Sequence, residues 1–164
     1  MVQVKDIIHF TIQLLVLLNK LIKTTPNIRF DLYGMNGIQP IWADDYLLAI
    51  SQSKIGLNLS QGKAVKYYSS DRFSQLIGNG LLVMVDEKTK FKNFFNKDEI
   101  ILYNNVSDLS EKIVKYSNDN KLRNFIAKNG RSKYFKYFNS KIVAEFIINK
   151  CFQNKKKYFW ENKN

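Results

Sequence analysis

From residue 7 to residue 22 the chain reads IIHFTIQLLVLLNKLI, apolar on nearly every side and interrupted by His9, Gln13, Asn19 and Lys20. It is shorter than the roughly 20 apolar residues a spanning helix needs. KTTPN follows it, where a signal peptide would place small residues for cleavage, so a buried helix is predicted. The pattern then alternates in IRFDLYG, residues 28–34, as a half-buried strand ending on Gly34 does. MNGIQPIW reads as a loop, and ADDYLLAISQS as a helix whose Asp44 and Asp45 suit the positive end of its dipole. KIGLNLS is a short strand, and QGKAVKYY is a loop that carries Lys63 and Lys66 to a helix starting near Ser70. The uninterrupted apolar run GLLVMVD, residues 80–86, predicts a strand buried on both faces.

The alternation continues with KFKNFF as a short helix, EIILYN as a strand and VSDLSEKIVKYSN as an amphipathic helix. Strands separated by helices imply parallel pairing through right-handed crossovers, hence an α/β fold with a doubly wound parallel sheet. Beyond Asn118 only helices are predicted, over 119–138 and over 140–154, the second with Ser140 as N-cap. The pattern divides the chain into one domain, residues 1–154, and a loose basic and aromatic tail, residues 155–164.

Composition changes this picture little. A formal charge of +12 over 164 residues favours anionic partners: phosphorylated metabolites, nucleic acid or an anionic membrane. Lys, Asn and Ile are all abundant, as an AT-rich genome produces without functional demand, so the charge does not choose among them. Cys151 is the only cysteine, which excludes an intrachain disulfide and agrees with a cytoplasmic location. His9 is the only histidine and is expected to be a helix residue with a satisfied ring. A zinc site or Cys/His pair would need residues from opposite ends of the chain, so neither metal nor cofactor is expected.

Chemistry concentrates in KYYSSDRFSQLIGNG, residues 66–80. In an open parallel sheet ligands gather where strands end and helices begin, because freed amides and the helix dipole favour anions there. Ser69 and Ser70 can cap the helix or donate to phosphate, Lys63 and Lys66 bring mobile charge, and Arg72 offers a planar fork. Tyr67 or Tyr68 can lie against a base or sugar. The same residues also fit a plain helix start, with Ser70 capping, Asp71 offsetting the dipole and Arg72 paired to a surface carboxylate.

The order SKIGLNLSQGKAVKYYSSDRFSQLIGNGLLVMVDEKTKFKNFF, then EIILYNNVSDLSEKI, then RNFIAKNGRSKYFKYF resembles the C-terminal half of group 1 glycosyltransferases over roughly residues 27–140. Within them it is most similar to the spore-maturation CgeB-like glycosyltransferase-like domain. The resemblance implies a single Rossmann-like C-terminal half of a GT-B fold, followed by C-terminal helices, that grips the nucleotide diphosphate of an activated sugar donor. By position it places Ser69, Ser70 and Arg72 at the diphosphate, and the loop residues Lys63, Lys66 and Tyr68 complete the expected nucleotide-sugar site. Gln75 stands where many relatives carry a ribose-binding Glu. No catalytic residue is assigned.

The resemblance further implies a truncated glycosyltransferase of the hexosyltransferase kind, lacking its acceptor-binding N-terminal domain or partner chain and inactive alone. A competing reading is a basic nucleic-acid-binding α/β protein, since aromatics interleave with charge in RSKYFKYF and KKKYFW. A third expectation, compatible with the first, is peripheral membrane contact through Lys155, Lys156 and Lys157 with Tyr158, Phe159 and Trp160.

Overall fold

The computed structural model describes residues 4–35, 37–59 and 63–162, with side chains from residue 14 to residue 161. Among them the elements run α1 (Val4–Thr24), α2 (Ala43–Gln52), β1 (Ile55–Asn58), α3 (Asp71–Gly78), β2 (Leu82–Asp86), β3 (Ile101–Tyr103), α4 (Val106–Asn118), α5 (Asn120–Tyr137) and α6 (Ser140–Cys151). The segment expected as a short helix at KFKNFF is a 3₁₀ turn, Phe91–Asn93. His9 falls within α1, and its ring lies outside the described side chains. No helix among the described residues is long and apolar enough to cross a membrane.

The strands form one parallel sheet in the order β1-β2-β3, the mixed α/β architecture the alternation predicted. Leu57 stands opposite Met84, Asn58 opposite Val85, and Asp86 opposite Tyr103. Because side chains alternate across a strand, β2 feeds two cores. Leu82 and Met84 join Leu18 and Leu21 of α1, Leu109 and Ile113 of α4, and Ile126 of α5. Val83 and Val85 join Ile50 of α2, Phe73 and Ile77 of α3, and the turn residues Phe91 and Phe95. When consecutive parallel strands lie side by side, right-handed crossovers put their linking elements on one face. That is where α3 and the Phe91 turn sit, while α1 and α4 cover the other face. Leu21 and Leu109 are wholly buried, each contributing about 1.5–3 kcal/mol of transfer free energy.

Helix α5 serves both cores, with Ile126 and Ala127 on the first and Tyr134 and Phe138 against the second. Between them lies Gly130, where an added Cβ would collide with the backbone carbonyl oxygen of Glu99. Arg123, also buried, donates to the carbonyls of Tyr116 (3.0 Å) and Ser117 (3.3 Å), closing the C-terminal end of α4. At the other end of α4 the Asn105 side chain accepts from the Asp108 amide at 3.0 Å, and the Asp108 carboxylate accepts from the Asn104 amide at 2.8 Å.

Three expectations are corrected. Residues 28–34 alternate as predicted, with Ile28, Phe30 and Leu32 against the first core, but among the described residues they pair with no strand. A period of two reports an extended chain with one buried face, and hydrogen bonding to a neighbour is a separate condition. Here a turn from Thr25 to Ile28 precedes the segment, and another closes it with the Gly34 amide donating to Ile38 at 3.1 Å. The cap of α6 is Asn139, whose side chain accepts from the Ile142 amide at 3.0 Å, one residue before the expected Ser140. The tail is not loose over residues 158–161. Tyr158 is buried, Trp160 stacks on Phe138 and Tyr158, and Phe159 stacks on Tyr137.

Candidate functional site

Strand β1 ends on Asn58, a buried polar residue on the α3 side of the sheet, since it shares the face of Val85. Its carbonyl Oδ1 accepts the hydroxyl proton of Ser70 at 3.1 Å. One residue on, the carbonyl of Leu59 accepts from Nη1 of Arg72 at 3.0 Å. Two bonds therefore tie the end of β1 to the start of α3. Beside them opens a cleft of about 440 Å³ lined by Asn58, Leu59, Lys63, Val65, Tyr68, Ser70 and Arg72.

The structure brings together Lys63, Tyr68, Ser70 and Arg72 of the residues singled out from the sequence, and leaves three outside the lining. Ser69 is exposed and donates to the Ser70 carbonyl at 3.2 Å. Lys66 lies over the ring of Tyr67, 4.6 Å from its centre. Gln75 is exposed farther along α3, its carbonyl accepting from the Asn79 side chain at 2.8 Å. Tyr67 is an anchor of the loop. Its amide donates to Thr89 at 2.8 Å, its hydroxyl accepts from Asn93 at 2.6 Å, and its ring meets the edge of Phe94. Tyr68, by contrast, is 57% exposed at the cleft wall.

The capping role foreseen for Ser70 does not match its geometry. It occupies the N-cap position with extended backbone, yet its side chain makes no cap bond and is turned toward Asn58, to which it donates. The surface carboxylate considered for Arg72 has no counterpart among the described ion pairs, and the cleft lining contains no acidic side chain. Arg72 and Lys63 thus present positive charge at the N-terminus of α3, whose dipole has the same sign. Asn58 was missed in the sequence. Its signal was a lone polar residue at the end of an apolar strand.

The other strand ends on this edge are closed by their own turns. The Asp86 carboxylate accepts from the Lys88 amide at 2.8 Å, and the hydrogen bond and charge of Lys92 hold Glu87 below the usual carboxylate range. Burial, with Asp86 adding its charge, pushes the Tyr103 hydroxyl far above the ordinary tyrosine value, so it stays protonated. A second groove, of about 590 Å³, runs between α1 and α4 past Lys20, Thr24, Ser110 and Lys115. Two of its hydroxyls are turned to one another, Thr24 to Ser110 at 2.7 Å.

A sequence profile of the family described as Glycosyl transferase-like matches residues 15–149. The chain belongs to this family. The match spans all three strands and the cleft of this glycosyl transferase-like domain, and it carries a glycosyltransferase-type function with it. Comparison with curated proteins and with solved structures found no match. Of the aromatics in the domain's basic segments, Tyr134 and Phe138 pack on the second core, and Tyr158 and Trp160 stack on each other.

Proposed function

We propose that the cleft between β1 and α3 binds the diphosphate of a nucleotide-activated sugar. The observation that carries this reading is Arg72, a half-buried guanidinium at a helix N-terminus in a cleft without counter-charge. Its bond to Leu59 uses one of five donors and fixes the plane of the fork, leaving the rest for phosphate oxygens. Lys63 adds a second charge, and Tyr68 offers an exposed ring for the base or sugar. Gln75 would touch the ribose only if the ligand extended past the cleft along α3. Catalysis would then be electrostatic, the cations stabilising the nucleoside diphosphate as it departs.

Among the described residues, none lining the cleft is a carboxylate or histidine, so a catalytic base and an acceptor surface would come from another domain or chain facing it. The domain alone is expected to bind without turnover. The kinship to spore-maturation CgeB-like domains belongs to this proposal and rests on the sequence resemblance.

Titration calorimetry with uridine, guanosine, adenosine and thymidine diphosphates tests the reading. At least one should bind, and Arg72→Ala should weaken it by about 1.5–3 kcal/mol, roughly 10- to 150-fold. If none binds while single-stranded RNA binds tightly at physiological salt, the nucleotide reading is lost and nucleic-acid binding takes its place.

A further inference from the structure

The side-chain amide of Asn58 has two polar ends, and the protein occupies only one of them. Oδ1 accepts from Ser70 at 3.1 Å, whereas among the described residues no acceptor meets Nδ2. Asn58 is only 6% exposed, yet none of the described side-chain nitrogens and oxygens is both sealed from solvent and without a partner. Nδ2 therefore remains open to solvent, and the space onto which Asn58 opens is the cleft that it lines with Ser70 and Arg72. Two amide protons, held in direction by the bond at the other end of the group, are left to donate there. In so buried a place a donor without an acceptor costs free energy, which favours an oxygen in front of it.

We propose that Asn58 binds the ligand directly, its Nδ2 donating to a non-bridging oxygen of the diphosphate, and that Ser70 is a positioning residue that holds the amide in this direction. The inference rests on the reading of the cleft as a diphosphate site. Nδ2 can only donate, and the non-bridging oxygens of an ionised diphosphate can only accept. The carbonyl that fixes Arg72 belongs to Leu59, the next residue, so the guanidinium is anchored beside the amide at one strand end. Ser70, which holds the amide, immediately precedes α3, whose N-terminal dipole favours negative charge. The part expected of Ser70 thereby passes to Asn58. A hydroxyl has one proton, and Ser70 gives it to Oδ1, so the neutral donor to phosphate is the amide behind it. An Asn58 that served only to tie β1 to α3 would have no use for Nδ2, since an Asp in its place would accept from Ser70 as well.

Inorganic pyrophosphate, which offers the diphosphate alone, is the probe, and the full chain is titrated with it. In proton–nitrogen correlation spectra of the wild type, the side-chain amide pair of Asn58, identified by its absence from Asn58→Asp or Asn58→Ser, should shift with pyrophosphate and stay in place with an unphosphorylated nucleoside. By calorimetry Asn58→Asp, which keeps the acceptor for Ser70 and removes the donor, should weaken pyrophosphate binding at least roughly 10-fold. Ser70→Ala should weaken it by roughly 2- to 10-fold, and Ser70→Thr, which keeps a hydroxyl, should bind as the wild type does. An amide pair that stays in place while pyrophosphate binds and Arg72→Ala weakens that binding would overturn this inference and leave the diphosphate reading of the cleft standing. Equal affinities of wild type and Asn58→Asp would do the same. Absence of binding by pyrophosphate and by all four nucleoside diphosphates would remove both.

Discussion

Ser70 donates its hydroxyl proton to Oδ1 of Asn58 at 3.1 Å, across 12 positions of chain, and so joins the last residue of β1 to the residue that precedes α3. Asn58 is 6% exposed, so losing the bond from either side leaves a polar group without its partner in a nearly dry place. Asn58→Ala should cost about 1–3 kcal/mol in urea unfolding, and Ser70→Ala about 0.5–1.5 kcal/mol. The double variant should lose less than the sum, because one bond is counted in both single changes. Strict additivity would mean that the two side chains do not support each other.

Gly130 and Gly56 separate two kinds of crowding. A Cβ on Gly130 meets the backbone carbonyl of Glu99, which cannot turn aside, whereas one on Gly56 meets side-chain atoms of Leu76, which can. Gly130→Ala should therefore destabilise by at least about 1–3 kcal/mol, and Gly56→Ala by clearly less. Thermal melts of the two variants give the order directly. Equal melting temperatures would show that α5 can move away from the residue 99 backbone without loss.

The acid limb of stability should report Asp108. Burial alone would raise its pKa, but the hydrogen bond from Lys112, the Asn104 amide and the Lys112 charge outweigh it and hold the carboxyl below its ordinary value. A carboxylate depressed in the folded state contributes stability above its unfolded pKa of about 3.9, and that contribution disappears as pH falls through the folded value. Glu87 and Glu161, each lowered first by a lysine hydrogen bond, act in the same direction. Urea midpoints should hold steady near neutrality and fall below about pH 4. Asp108→Asn should lower the neutral plateau and flatten that fall. An unchanged acid slope would remove Asp108 from the account.

The sheet and its helices were legible because burial on both faces writes an unmistakable run, LVMVD, and because α4 repeats its apolar positions at helical spacing. Residues 28–34 misled for a physical reason: alternation records which side is buried and is silent on hydrogen-bonding neighbours. The aromatic tail misled because Lys155, Lys156 and Lys157 dominate its composition, while its packing depends on Phe138 and Phe146, rings contributed by other elements. At the cleft, residue types were readable but directions were not. Ser70 and Arg72 lie two positions apart and both turn toward β1, whereas Ser69 and Gln75 turn elsewhere, and only the twist of α3 against the sheet decides this. Asn58 escaped notice because its importance lies in one partner 12 residues away.

The hydrogen bond between the hydroxyls of Thr24 and Ser110 spans 86 positions. It marks how differently the two faces of the sheet come to be covered. On the α3 face, Phe73 meets Phe91 and Phe95 across short stretches of chain, so the loops to be closed are small and the contacts local. On the other face, Leu18 and Leu21 belong with Met84, Ile101 and Ile113, all of which are synthesised at least 60 residues later. Helix α1 therefore waits for β2, β3 and α4, and only when α4 has arrived is the cluster that its leucines share complete.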